Sequence, residues 1–158
     1  MRGGKRNGRS LLCPTWKYPP VTHTIRDWMS RPVVVVDPDT MVSYAMTLMR
    51  RRGIHSVVVA LDPIRQQFGI VTTTDVRDKI VAEDRNPANT RVREIMSGPI
   101  VTVQADASLE ACSKLMHEHH FHHLPVVDEH GILAGMISTT DIFMAVEEAG
   151  WEGRFSDH

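Results

Sequence analysis

The feature that most constrains this chain is that it contains the same short pattern twice. Residues 69–75 read Gly-Ile-Val-Thr-Thr-Thr-Asp, and residues 135–141 read Gly-Met-Ile-Ser-Thr-Thr-Asp, 66 positions later. In each copy a glycine opens an apolar run, hydroxyl residues follow, and the aspartate falls where the pattern turns helical. That order predicts a strand running into a helix, with Ser, Thr and Asp oxygens placed to accept from the free amides of the first helical turn. The same amides and the helix dipole attract anions, so two such junctions in one small chain predict paired anion or nucleotide pockets.

The repetition extends far beyond the motif. Val92-Arg93-Glu94-Ile95-Met96-Ser97 echoes Ile25-Arg26-Asp27-Trp28-Met29-Ser30 at an offset of 67. The β-branched runs 33–36 and 100–103 predict the first strand of each copy. Asp39, Thr40, Asp106 and Ser108 offer capping oxygens. Val42, Ala45 and Met49 in one copy, and Leu109, Cys112 and Met116 in the other, then recur at helical spacing. The first of these helices ends on Arg50-Arg51-Arg52-Gly53, a basic last turn with a C-terminal glycine. Strands over 54–61 and 67–71 and a helix over 74–82 complete the first copy. Strands over 121–127 and 132–137 and a helix to about residue 149 complete the second.

The offset drops from 67 to 66 in the loop between the second and third strands, where a length difference costs least. Each copy therefore reads β-α-β-β-α, and the fold class is α/β (α+β). The expected segments are a flexible basic tail at 1–20, a first repeat at 21–84, a polar linker at 85–91, a second repeat at 92–149 and a tail at 150–158. A unit of roughly sixty residues is marginal alone. Two copies are expected to pack sheet to sheet about a pseudo-twofold axis, which leaves two equivalent grooves.

Composition narrows the function. The net charge of -1 conceals a split, because Arg2, Lys5, Arg6, Arg9 and Lys17 all precede the first acid. The body then holds 13 basic residues against 19 acidic ones, which argues against wholesale nucleic-acid backbone binding. Cys13 and Cys112 form neither a disulfide framework nor a metal pair, no apolar run reaches the length of a membrane span, and a cytoplasmic location is expected. There is no Walker loop, zinc-protease helix motif or nucleophile elbow, so a non-enzymatic protein is expected.

The repeated Met-Ser, the capping residues after the first strand, the Leu124-Pro125-Val126-Val127-Asp128 strand and the two Gly-hydrophobic-x-Ser/Thr-x-x-Asp motifs together resemble a tandem pair of CBS domains, a Bateman module. The resemblance covers about residues 21–149. It implies a stand-alone regulatory sensor with no obligatory cofactor, which takes AMP, ADP, ATP or S-adenosylmethionine as a regulatory ligand in one or both grooves. It implies ribose contacts from Asp75 and Asp141, and phosphate contacts from Thr72, Thr74, Ser138 and Thr140 at the helix starts. The adenine walls come from the opposite repeat in each groove: Met96, Phe121 and His122 for the Asp75 groove, and Met29, Ile54 and His55 for the Asp141 groove. The family also implies a homodimer and a separate effector protein.

The copies differ in ways that bear on affinity. Where the second repeat has Leu124-Pro125-Val126, the first has Val57-Val58-Val59. Phe121 offers an aromatic face to a purine where the other groove has Ile54, so stacking is expected to make the Asp75 groove the tighter one. Arg51, Arg52, His119 and His120 are expected at the groove mouths as candidates for further phosphate contacts. The histidine-rich run 117–123 also supports a rival reading, a metal-binding or structural stress protein with empty grooves, through His119, His120 and His122. A strand starting near Phe121 turns His122 and His123 to opposite faces, which limits how many imidazoles converge.

Overall fold

The computed structural model describes residues 23–149, so the two expected tails lie outside the described residues. The first repeat contains β1 (Val35–Val36), α1 (Val42–Arg52), β2 (Ser56–Asp62), β3 (Gln67–Thr72) and α2 (Thr73–Val76). The second contains β4 (Val103–Gln104), α3 (Leu109–His119), β5 (His123–Val127), β6 (Leu133–Ser138) and α4 (Thr139–Ala149). Each forms a three-stranded sheet with the second strand in the middle, parallel to the first and antiparallel to the third. The middle strands are buried on both faces, which explains why Val57-Val58-Val59 and Leu124-Pro125-Val126 run without polar alternation.

The sheets face each other across a shared apolar layer. Val58, Phe68 and Ile70 from one side meet Ile100, Val127 and Met136 from the other. Outside this layer each repeat has its own core between sheet and helices, built on Val42, Ala45 and Met49 in one and Cys112 and Met116 in the other.

These cores are completed by exchange. The segment 23–30, which belongs to the first repeat in sequence, docks on the second. Ile25 N donates to Ala107 O at 3.0 Å, Arg26 N donates to Ala105 O at 2.9 Å, and the Ile25 side chain is fully buried with Cys112, Leu124 and Ile137. The segment 90–97 does the reverse. Val92 N donates to Thr40 O at 2.8 Å, Arg93 N donates to Pro38 O at 3.0 Å, and Val92 and Ile95 enter the first repeat's core.

The crossing arms also explain the motif glycines. Ser97 exchanges both backbone hydrogen bonds with Ile70, and Ser30 exchanges both with Met136. A Cβ on Gly69 would sit 3.0 Å from Met96 Sδ and 3.1 Å from Ser97 O; one on Gly135 would sit 2.6 Å from Met29 Sδ and 3.0 Å from Ser30 O. The glycine is there because an arm's Met-Ser lies directly over it.

Several local expectations are corrected. The first strands pair over two residues each, shorter than the runs 33–36 and 100–103. Neither Asp39 nor Thr40 caps α1 with its side chain. Instead Val42 N donates to Thr90 O at 2.9 Å and Ser43 N to Pro87 O at 3.0 Å, so the linker supplies the cap. The Asp39 carboxylate binds Arg91 and Arg93 at 2.8 and 2.9 Å, and these guanidiniums hold it below the usual carboxylate range. Ser108 does cap α3, accepting from Ala111 N at 3.1 Å. The helix expected over 74–82 stays α-helical only through Val76. A π-turn over Arg77–Val81 follows, with Ala82 N donating to Arg77 O, whereas α4 continues as one helix to Ala149.

Candidate ligand-binding clefts

Two clefts open between the repeats, each at the junction where a third strand becomes a second helix. The first, about 210 Å³, holds Thr72, Thr74 and Asp75 from one repeat and Phe121, His122 and His123 from the other, with Ser97 and His120 at its edges. The second, about 280 Å³, holds Ser138, Thr140 and Asp141 from one repeat and Ile54, His55 and Ser56 from the other. Its remaining wall comes from Ser30, Pro32, Val33 and Val34 of the first arm and the chain that follows it, with Met136 and His123.

Backbone hydrogen bonds hold each helix start in place. Thr73 N donates to His55 O at 3.0 Å and Thr139 N to His122 O at 2.9 Å, so each helix start is tied to the residue just before its own repeat's second strand. The motif aspartates fold back onto the preceding hydroxyl residue. Asp75 Oδ2 accepts from Thr72 N at 2.8 Å and Thr72 Oγ1 at 3.1 Å. Asp141 Oδ2 accepts from Ser138 N at 2.8 Å and Ser138 Oγ at 2.9 Å. Each carboxylate is thereby oriented with one oxygen fixed and the other directed elsewhere.

The clefts share one side chain. His123, partly buried at the start of β5, lines both, and its pseudo-twofold counterpart is Ser56. Burial pushes its imidazole below the ordinary histidine range; the neighbouring His122 and His55 add to this, and Asp141 opposes it. Cys112, buried in the second core, has its thiol pushed up to about 11 by burial and is an inert packing residue.

Most of the expected site residues are gathered in these clefts, but some are not. Met29 and Met96 turn away from both, because each lies over a motif glycine and packs against a core. Arg51, Arg52 and His119 line neither cleft. The arginines lie exposed on the last turn of α1, and the His119 ring stacks on Phe121 with centroids 5.7 Å apart and planes 11° apart. His120 reaches the first cleft as the left-handed residue ending α3. Among the described residues no three His, Cys, Asp or Glu side chains converge as a metal site, so His119, His120 and His122 do not meet as ligands. The sequence reading missed Ser97, Pro32, Val33 and Val34, which an offset comparison could have found only once the arms' crossing was known.

This geometry has a family. The CBS domain model matches residues 25–82 and 92–148, so the chain belongs to the CBS-domain family as a tandem pair, a regulatory type of module. It is 29% identical over 130 residues to the CBS domain-containing protein YhcV of Bacillus subtilis, covering 80% of this chain and 90% of that one. It is 37% identical over 94 residues to an uncharacterized Methanopyrus kandleri protein, covering 60% of this chain and 47% of that one, so it spans about half the length of that relative. Its fold is similar to a hexameric CBS-CP12 protein from bloom-forming cyanobacteria, with a TM-score of 0.77 and 27% identity over 86% of this chain and 75% of the other. It is also similar to a CBS domain pair in complex with methylthioadenosine and S-adenosylmethionine, with a TM-score of 0.70 and 19% identity over 82% of this chain and 99% of the other. Among the described residues no helix is long and apolar enough to cross a membrane.

Proposed function

We propose that this CBS pair is a non-enzymatic cytoplasmic sensor in which repeats at 21–84 and 92–149, joined by 85–91, hold an adenosyl ligand between them. The ligand is AMP, ADP, ATP or S-adenosylmethionine. The observation that carries this reading is the composite build of the clefts, each joining one repeat's carboxylate and helix start to the other repeat's second strand. In the larger cleft, Pro32, Val33, Val34 and Ile54 offer an apolar slot for a purine, and Asp141 suits a ribose diol as an ionised double acceptor. At the start of α4 the Thr139 and Asp141 amides already donate to His122 O and Ser138 Oγ, so it is Thr140, with Ser138 and the helix dipole, that suits phosphate. The solved CBS pair with bound adenosyl compounds supports the ligand class.

Ligand bridging both repeats stabilises one relative orientation and so biases whatever effector or second copy reads it. Tyr44 on α1 and Phe143 and Met144 on α4 are exposed, and we assign these outer helix faces to self-association as a homodimer. Thermal melting with AMP, ATP, S-adenosylmethionine or zinc tests the function: an upward shift with at least one adenosyl compound, lost in a folded Asp75→Ala/Asp141→Ala double variant, is expected. A shift with zinc alone would overturn it.

A further inference from the structure

The two carboxylates differ in what occupies their second oxygen. Four residues past Asp75 is Lys79, whose Nζ donates to Asp75 Oδ1 at 2.9 Å and to the Ile95 carbonyl at 2.7 Å. Four residues past Asp141 is Ala145, a buried methyl with nothing to donate. Both oxygens of Asp75 are thus engaged, whereas Asp141 Oδ1 has no donor among the described residues.

We propose that Lys79 is a latch that withholds Asp75 from vicinal-diol ligands, so that the chain takes one adenosyl ligand, in the Asp141 cleft. This rests on the adenosyl reading of the clefts. A ribose diol reaching Asp75 Oδ1 exchanges a charge-assisted hydrogen bond for a neutral one, and the displaced ammonium also gives up the Ile95 carbonyl. The ion pair is shielded on its carboxylate side, where Asp75 is 12% exposed, and partly open at Lys79, which is 38% exposed. The same diol finds Asp141 Oδ1 free.

Lys79 does more than mask an oxygen. Ile95 belongs to the second arm and is fully buried in the first core, and two residues on, Ser97 both pairs with Ile70 and lines the first cleft. The ammonium therefore ties the motif carboxylate to the chain that forms the cleft's opposite edge. Its helix partner in the second repeat makes no such tie. The order of affinities is then the reverse of the one that aromatic stacking on Phe121 predicts, and one face of Phe121 is already stacked on His119.

Calorimetric titration of the full chain with AMP, ATP and S-adenosylmethionine tests this. The wild type is expected to bind one equivalent. Lys79→Ala and Lys79→Met, the latter keeping the aliphatic stem, are expected to gain a second site or a gain of tenfold or more at the Asp75 cleft, and adding Asp75→Ala is expected to remove it. Lys79→Arg keeps the charge and is expected to stay at one. Two equal sites in the wild type, or one unchanged site in both folded Lys79 variants, overturns the latch while leaving the adenosyl reading intact. Absence of binding in every variant overturns both.

Discussion

The two cores and the two clefts were built from the same duplicated pattern, yet they diverge to very different degrees. In the cores most counterparts stay alike: Ile25 and Val92 are both fully buried, Met49 answers to Met116, and Ala45 to Cys112, with Trp28 against Ile95 as the exception. Around the clefts the motif hydroxyls and aspartates are kept, but other counterparts change chemical character: Ile54 answers to Phe121, Ser56 to His123, and Lys79, beside Asp75, to Ala145. The exchange of arms explains the contrast. Each core contains side chains from both copies, so a change in one repeat must be matched in the other to keep close packing. A cleft residue faces solvent or ligand and carries no such constraint, so the two sites can take separate jobs on one scaffold.

The most damaging way to probe the cores is through an arm. Ile25→Ala deletes a fully buried side chain, and a loss of about 2–5 kcal/mol is expected. The position of the damage matters more than its size. Ile25 packs with Cys112, Leu124 and Ile137, so native-state hydrogen exchange is expected to lose protection first in β5 and β6 of the second repeat. Protection lost first in β2 and β3 would mean that the arm serves its own repeat and that the cores are not shared.

Exchange is also where sequence reasoning reached its limit. The repeat, its element order and the motif-bearing junctions were legible because periodicity, β-branched runs and capping residues are local signals. The composite pairing of Asp75 with Phe121 and of Asp141 with Ile54 came from the family resemblance, and the structure places those residues together. Local signals do not say which sheet an arm will meet. Ile25 and Val92 therefore read as the opening residues of their own repeats, and Met29 and Met96 read as cleft walls although the motif glycines draw them inward. Lys79 was passed over for a related reason: within a helical stretch it is an ordinary surface lysine, and only its 2.9 Å contact with Asp75 gives it a role.

A smaller effect comes from a position where the two second strands differ in a titratable group. Burial, with His122 and His55 and against Asp141, keeps folded His123 below the ordinary imidazole value of 6.5. As pH falls through that value the unfolded chain takes up a proton at this residue and the folded chain does not, so stability declines. The decline at this site ends once pH passes below the folded value. Ser56 in the matching position contributes nothing. His123→Ser gives both second strands the same residue at this position, and its stability between about pH 7 and pH 5.5 is expected to fall less steeply than the wild type's, measured by chemical denaturation. Equal slopes would place His123 in water-like surroundings and remove the asymmetry.

The smallest difference lies at the ends of α1 and α3, and it asks whether a cleft residue is held for its side chain. Gly53 closes α1 with φ 62° and ψ 34°, and His120 closes α3 with φ 56° and ψ 37°, the same left-handed conformation on two very different residues. A Cβ added at Gly53 meets nothing within 4 Å, so at this kind of position the cost of a side chain is backbone strain alone. His120→Gly is therefore expected to raise stability by about 1 kcal/mol, and Gly53→His to lower it by a similar amount, in thermal melts at one pH. His120 lines the Asp75 cleft, which the Lys79 latch keeps from adenosyl ligands. Ligand affinity is then expected to be unchanged in His120→Gly and to respond only when Lys79 is also removed. A variant that gains no stability would show that the imidazole makes contacts strong enough to offset its strained backbone, and a variant that binds nucleotide more weakly with Lys79 in place would show that the first cleft is in use.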